Sequence, residues 1–80
     1  MENNHPERKK RHIHLVLYDI ASDRLRQKLA DTLERIGLHR IQYSAFLGEV
    51  KPPVLQANVH PFFDKMDKTD RLFILPIPRS

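Results

Sequence analysis

The chain has 80 residues, with 14 Lys and Arg against 10 Asp and Glu, and its formal charge of +4 favours a polyanionic partner such as nucleic acid. One domain of this size buries only about 60–65% of its unfolded surface, so a second subunit is a natural supplement. At 40% hydrophobic and 30% charged residues it reads as a folded, soluble domain. The absence of cysteine excludes disulfides and thiolate metal sites, and no apolar run suits a membrane span or signal peptide, which leaves the cytoplasm as the default compartment.

Residues 1–12 form a polar arm ending in Arg8-Lys9-Lys10-Arg11-His12, expected to be flexible. It serves either as a solubilising leader or as a phosphate-binding arm, and the sequence weighs these evenly. Residues 13–80 form a single domain. Ile13–Asp19 reads as a strand, with Ile13, Leu15 and Leu17 on one side and His14, Val16 and Tyr18 on the other. Both sides carry apolar groups, as in a central strand, and the Leu15 side is the one expected to meet the helices. Its end, Tyr18-Asp19-Ile20, draws attention because desolvation disfavours a carboxylate at the mouth of a buried strand.

Ser22–Ile36 reads as a helix. Ser22 is the N-cap, Asp23 sits in the first turn, Leu25, Leu29, Leu33 and Ile36 form the stripe, and Gly37 ends it. His39–Tyr43 and Ala45–Val50 are strands joined around Ser44, although Tyr-Ser lacks a favoured hairpin signature and one bent strand also fits. Gly48 inside the second predicts a bulge or a close backbone approach. Pro52–Met66 is a second helix that Pro61 should kink or end early, and Arg71–Ile77 is a last strand whose Pro76 places it at a sheet edge. The order β-α-β-β-α-β predicts a ferredoxin-like α+β fold, an antiparallel sheet with two helices on one face. Its other face stays bare unless a second copy covers it.

Tyr18-Asp19-Ile20, Arg26, Lys28, Glu34-Arg35-Ile36-Gly37-Leu38 and Arg40-Ile41-Gln42-Tyr43-Ser44-Ala45-Phe46-Leu47-Gly48-Glu49 together resemble the CRISPR-associated protein 2 family. The resemblance runs without gaps from about Leu15 to Val50, nearly half the chain. It implies a homodimer of ferredoxin-like protomers packed through their sheets. It also implies a metal-dependent endonuclease acting on RNA or DNA, whose dimer bridges integrase dimers during spacer acquisition. Asp19 would then be the catalytic metal ligand, for Mg2+ or Mn2+, paired with its copy across the dimer axis. Tyr18 and Arg40 would stand beside it, and Arg26, Lys28, Arg40 and Phe46 would contact nucleic acid. Three features depart from the family pattern. Leu47 replaces a usual glutamate, Pro61 interrupts a helix normally continuous, and the end at Ser80 leaves little for a C-terminal strand that crosses to the partner.

Read without the resemblance, Asp19 is an ordinary loop-capping aspartate, Tyr18 and Phe46 are packing residues, and the cations form a solvated face. Strict alternation puts Asp19 with Leu15 and Leu17, whereas a dimer-axis ligand belongs on the face away from the helices. A strand that ends at Tyr18 would remove that conflict. His12-x-His14 lacks a third ligand type, and His60 has no chemical case. Three functions from different classes follow: a metal-dependent nuclease, a non-catalytic adaptation scaffold, and a toxin-type ribonuclease resembling virulence-associated protein D.

Overall fold

A computed structural model describes residues 12–78. The expected flexible arm lies outside the described residues except for His12, as do residues 79–80. The elements are β1 (Ile13–Asp19), α1 (Asp23–Arg35), β2 (His39–Gln42), β3 (Ala45–Glu49), α2 (Pro52–Phe63) and β4 (Arg71–Ile77). The strands make one sheet in the order β2-β3-β1-β4, antiparallel throughout. This is the predicted ferredoxin-like α+β fold, with β2 and β3 a true hairpin. No helix among the described residues is long and apolar enough to cross a membrane.

Local chemistry explains the elements. The Ser22 hydroxyl accepts from the Leu25 amide at 3.1 Å, capping α1, and Gly37 leaves the helix with φ 108°. Helix α2 starts on Pro52 and Pro53, where missing amide protons cost nothing. It ends at Phe63, short of the expected Met66 and two residues past Pro61, the early end that this proline predicts. Met66 still packs against the core from beyond the helix.

The core lies between the helices and one side of the sheet. Val16 and Tyr18 from β1, Phe46 from β3 and Leu72 from β4 meet Leu29 and Leu33 of α1 and Leu55 and Val59 of α2. The expected orientation of β1 is therefore reversed: His14, Val16 and Tyr18 are buried, and Ile13, Leu15 and Leu17 are only partly so. Because β1 is apolar on both sides, its own pattern does not select a face. Its neighbours do. Val16 lies in register with Phe46 and Ile74, and Tyr18 with Leu72. On the same side, Gly48 lets β3 approach the loop after α1, the close approach that its position predicted.

A Cβ on Gly48 would stand 3.0 Å from both the Gly37 carbonyl oxygen and the Leu38 Cα. Both are backbone atoms that cannot rotate away. Gly48→Ala should therefore destabilise the fold by about 1–3 kcal/mol, the usual cost of overpacking, read as a lower midpoint in thermal unfolding.

Candidate functional site

Adjacent residues of a strand project to opposite faces, and this separates the two residues that close β1. Tyr18 points to the helix side and is buried. Asp19 is exposed on the other side, aligned with Leu15 and Leu17 and in register with Arg71. The conflict over Asp19 thus disappears without ending the strand early, since the Leu15 side is the open one. The Arg71 guanidinium donates to the Lys68 and Asp70 carbonyls, each at 3.0 Å. No group of three side chains able to hold a metal occurs among the described residues, so Asp19 is a single carboxylate.

The loop after Asp19 is pinned from two directions. The Ala21 amide donates to Asp70 Oδ1 at 3.1 Å, and Asp70 Oδ2 accepts from the Asp67 amide at 2.9 Å. From the other direction, Arg26 Nη1 donates to the Ile20 carbonyl at 2.8 Å and to that of Ala21 at 3.4 Å. Arg26 also forms an ion pair with Asp23. The backbone amides of Asp67 and Ala21 hold the Asp70 carboxyl below its ordinary range by bonding its charged form.

On the helix side, α1 and the β2–β3 turn enclose a cleft of about 270 Å³ lined by Tyr18, Arg26, Arg40, Tyr43 and neighbours on α1. The Arg40 guanidinium carbon lies 5.0 Å from the Phe46 ring centroid, and Nη1 donates to the Tyr43 carbonyl at 2.6 Å. Phe46 and Tyr18 stack with centroids 6.2 Å apart. Among the described residues the buried Tyr18 hydroxyl finds no hydrogen-bond partner. Burial raises its pKa, an effect that the positive charge of Arg40 partly opposes.

Of the residues singled out from sequence, then, Tyr18, Arg26 and Arg40 share one cleft and Asp19 stands apart on the opposite face. Phe46 has no exposed surface, so it supports Arg40 and offers no face to a base. Lys28 lies elsewhere on α1, lining a separate hollow with Arg24 and Lys65. His14 is buried, with Nδ1 3.1 Å from the His12 carbonyl oxygen. Tyr43 has no role assigned from sequence, yet it is 70% exposed at the cleft. Its signal is an aromatic ring beside a tight turn, where packing rarely needs one.

A sequence model of the CRISPR associated protein Cas2 family matches residues 12–80. The chain is 47% identical over 68 residues to CRISPR-associated endoribonuclease Cas2 1 of Archaeoglobus fulgidus, covering 81% of this chain and 70% of that protein. Identity to CRISPR-associated endoribonuclease Cas2 of Korarchaeum cryptofilum is 40% over 65 residues, covering 79% and 69% of the two chains. A CRISPR-associated endonuclease Cas1/endonuclease Cas2 fusion of Thermoproteus tenax is 43% identical over 42 residues, 52% of this chain and 16% of the fusion. The crystal structure of a hypothetical protein, TT1823 from Thermus thermophilus, matches with a TM-score of 0.73 at 30% identity, covering 88% of this chain and 85% of that one.

The Asp70 clamp has a pH signature. Its folded pKa is lowered, so its stabilisation is complete above the unfolded carboxylate pKa and is lost as pH falls towards the folded value. Asp70→Asn removes that dependence and sets an amide N–H against one of two backbone donors. The variant should melt below wild type at neutral pH and show a flatter acid limb when the thermal midpoint is followed downward in pH.

Proposed function

The chain belongs to the CRISPR associated protein Cas2 family, and on that premise we propose that it is a subunit of CRISPR spacer acquisition. In this reading it works in the cytoplasm as a homodimeric, metal-dependent endonuclease that binds RNA or DNA and bridges integrase dimers. The Thermoproteus tenax relative, a Cas1/Cas2 fusion, supports a physical tie to an integrase subunit.

One observation carries the reading. Asp19 stands on the uncovered face of the sheet, beside an apolar surface that includes Leu15, Leu17 and Leu47. Phe73 and Leu75 on that face are 52% and 42% exposed. A second copy seated there across a two-fold axis would cover this surface and bring a second Asp19 to the same interface. Mg2+ is commonly held by one or two carboxylates together with waters and phosphate oxygens, so two Asp19 side chains fit Mg2+ or Mn2+ and one is half a site. When bound, the ion supplies Lewis-acid stabilisation of the phosphate and an activated water. The chain's own cations, Arg26, Lys28 and Arg40, bind and orient the phosphate backbone. Tyr18 and Arg40 act from the helix side of the sheet, away from the carboxylate.

A second reading, a scaffold whose dimer geometry and phosphate contacts matter more than cleavage, has its own support. Leu47, which replaces the family's glutamate, lies opposite Leu15 and adds to the apolar face rather than to a ligand set.

In the nuclease reading, Asp19→Asn abolishes Mg2+-dependent cleavage of RNA and DNA but leaves dimer mass and integrase pull-down intact. Cleavage that persists in this variant sinks the assignment of Asp19. Phe73→Asp, which places charge in the apolar face, should give monomers by light scattering. Arg40→Glu should lower the salt slope of duplex binding by about one for each phosphate that the side chain no longer neutralises.

A further inference from the structure

Arg26, Lys28 and Arg40 lie on the helix side of the sheet, and Asp19 lies on the other. Among the strand residues described on that other face, Arg71 alone carries a permanent positive charge. It opens β4 directly across from Asp19, at the border of the face whose middle is filled by Leu15, Leu17, Phe73 and Leu75. Residues opposite one another in an antiparallel pair point the same way, with Cβ atoms about 4.5–5.5 Å apart. Leu72, next along β4, is buried towards the helices, which fixes Arg71 on the open side.

How the guanidinium is held decides what it can do. Its Nη1 donates to the Lys68 and Asp70 carbonyls, each at 3.0 Å. The turn that carries those carbonyls is itself closed by the Asp70 carboxylate, which accepts from the amides of Asp67 and Ala21. Nε and Nη2 make no bond among the described residues. Their N–H groups run parallel along one edge of the guanidinium, a fork that takes a phosphate or carboxylate in two bonds. A loose arginine here would fold onto Asp19 and neutralise it. The carbonyls hold this one back, and the two form no ion pair among the described residues. The carboxylate is left open to a cation and the fork to an anion.

Phosphodiester hydrolysis needs such a group beside the carboxylate. A water oxygen bonds to phosphorus and the bond to one sugar oxygen breaks. One proton of that water leaves on the sugar oxygen, and the other is lost to solvent. Negative charge gathers on the two non-bridging oxygens as the water arrives, and a preorganised pair of donors there lowers the barrier. We infer that Arg71 binds the scissile phosphate, with Nε and Nη2 donating to the non-bridging oxygens on the face that bears Asp19. This rests on the nuclease reading of Asp19 and adds to it a substrate contact from a residue with no role assigned from sequence.

The test follows the full chain with a fluorescently labelled single strand of RNA in two ways. With EDTA present, anisotropy across a salt series should show Arg71→Gln lowering the salt slope of binding by about 0.7, one phosphate contact on a single strand. With Mg2+, the same variant should lower kcat about a hundredfold and change KM far less. Arg71→Lys keeps the charge without the fork, so it should retain the wild-type slope and only part of the rate. Asp70→Asn loosens the same turn but leaves the guanidinium in place, and should keep the wild-type slope. An unchanged slope or an unchanged kcat in Arg71→Gln overturns the inference. So does an equal loss of slope in Asp70→Asn, which would assign the effect to the turn. A shift of Arg71→Gln to monomer by light scattering with its slope intact also overturns it, by giving the fork to the partner subunit's Asp19. Cleavage that is absent in wild type, or that persists in Asp19→Asn, removes the nuclease reading, and the slope in EDTA then decides the phosphate contact by itself.

Discussion

The seven residues of β1 bond to β3 along one edge and to β4 along the other, and the rest of the molecule depends on which face of that strand meets the helices. A strand alternates with a period of two, so a slip of one residue would exchange its entire set of side chains between core and surface. The arrangement found here puts Val16 and Tyr18 into the core and turns Leu15, Leu17 and Asp19 outward. It is held by neighbours more than by β1 itself. Phe46 and Leu72 are fixed on the helix side, and Gly48 permits β3 to come within reach of the Leu38 backbone only there.

That dependence explains what could be read from the residues alone. Helix α1 was legible to its ends because Ser22 and Gly37 are local start and stop chemistry, needing no knowledge of the rest of the chain. Strands β1 and β4 were legible as apolar runs between turn residues. The face of β1 was not, because a strand apolar on both sides carries no periodic signal to choose between them. The early end of α2 was legible in Pro61, though its last residue, Phe63, was not. The family resemblance gathered Tyr18, Asp19, Arg26, Lys28, Arg40 and Phe46 as neighbours. In space they divide into an outward carboxylate, an inward cleft with its buried support, and a lysine in a different hollow.

Arg26 shows why such a set resists interpretation residue by residue. It lines the cleft, and the same side chain holds the carbonyls of Ile20 and Ala21 immediately after Asp19. Removing it would disturb the carboxylate's loop and the cleft together. Arg40 touches the cleft alone, through Tyr43 and Phe46, and so is where the proposed nucleic-acid binding can be tested without moving the strand end. Asp70 is its counterpart for the loop, since it bonds the Ala21 amide without lining the cleft. Substitutions at Arg40 and Asp70 therefore separate two effects that a change at Arg26 combines.

The outward carboxylate also ties chemistry to association in the dimer proposed here. Two Asp19 side chains brought to one interface repel each other and lose hydration, a combination that opposes docking. The apolar side chains around them, from Leu15, Leu17, Leu47, Phe73 and Leu75, favour docking by leaving water. Leu47 strengthens that side of the balance, where a glutamate would add a further charge to the same face. A divalent cation between the two carboxylates would relieve their repulsion, so metal binding and dimer formation would reinforce one another by linkage. The residue that would do chemistry is thus the one that most weakens the interface, and the apolar face of β1 and β4 is what can offset it.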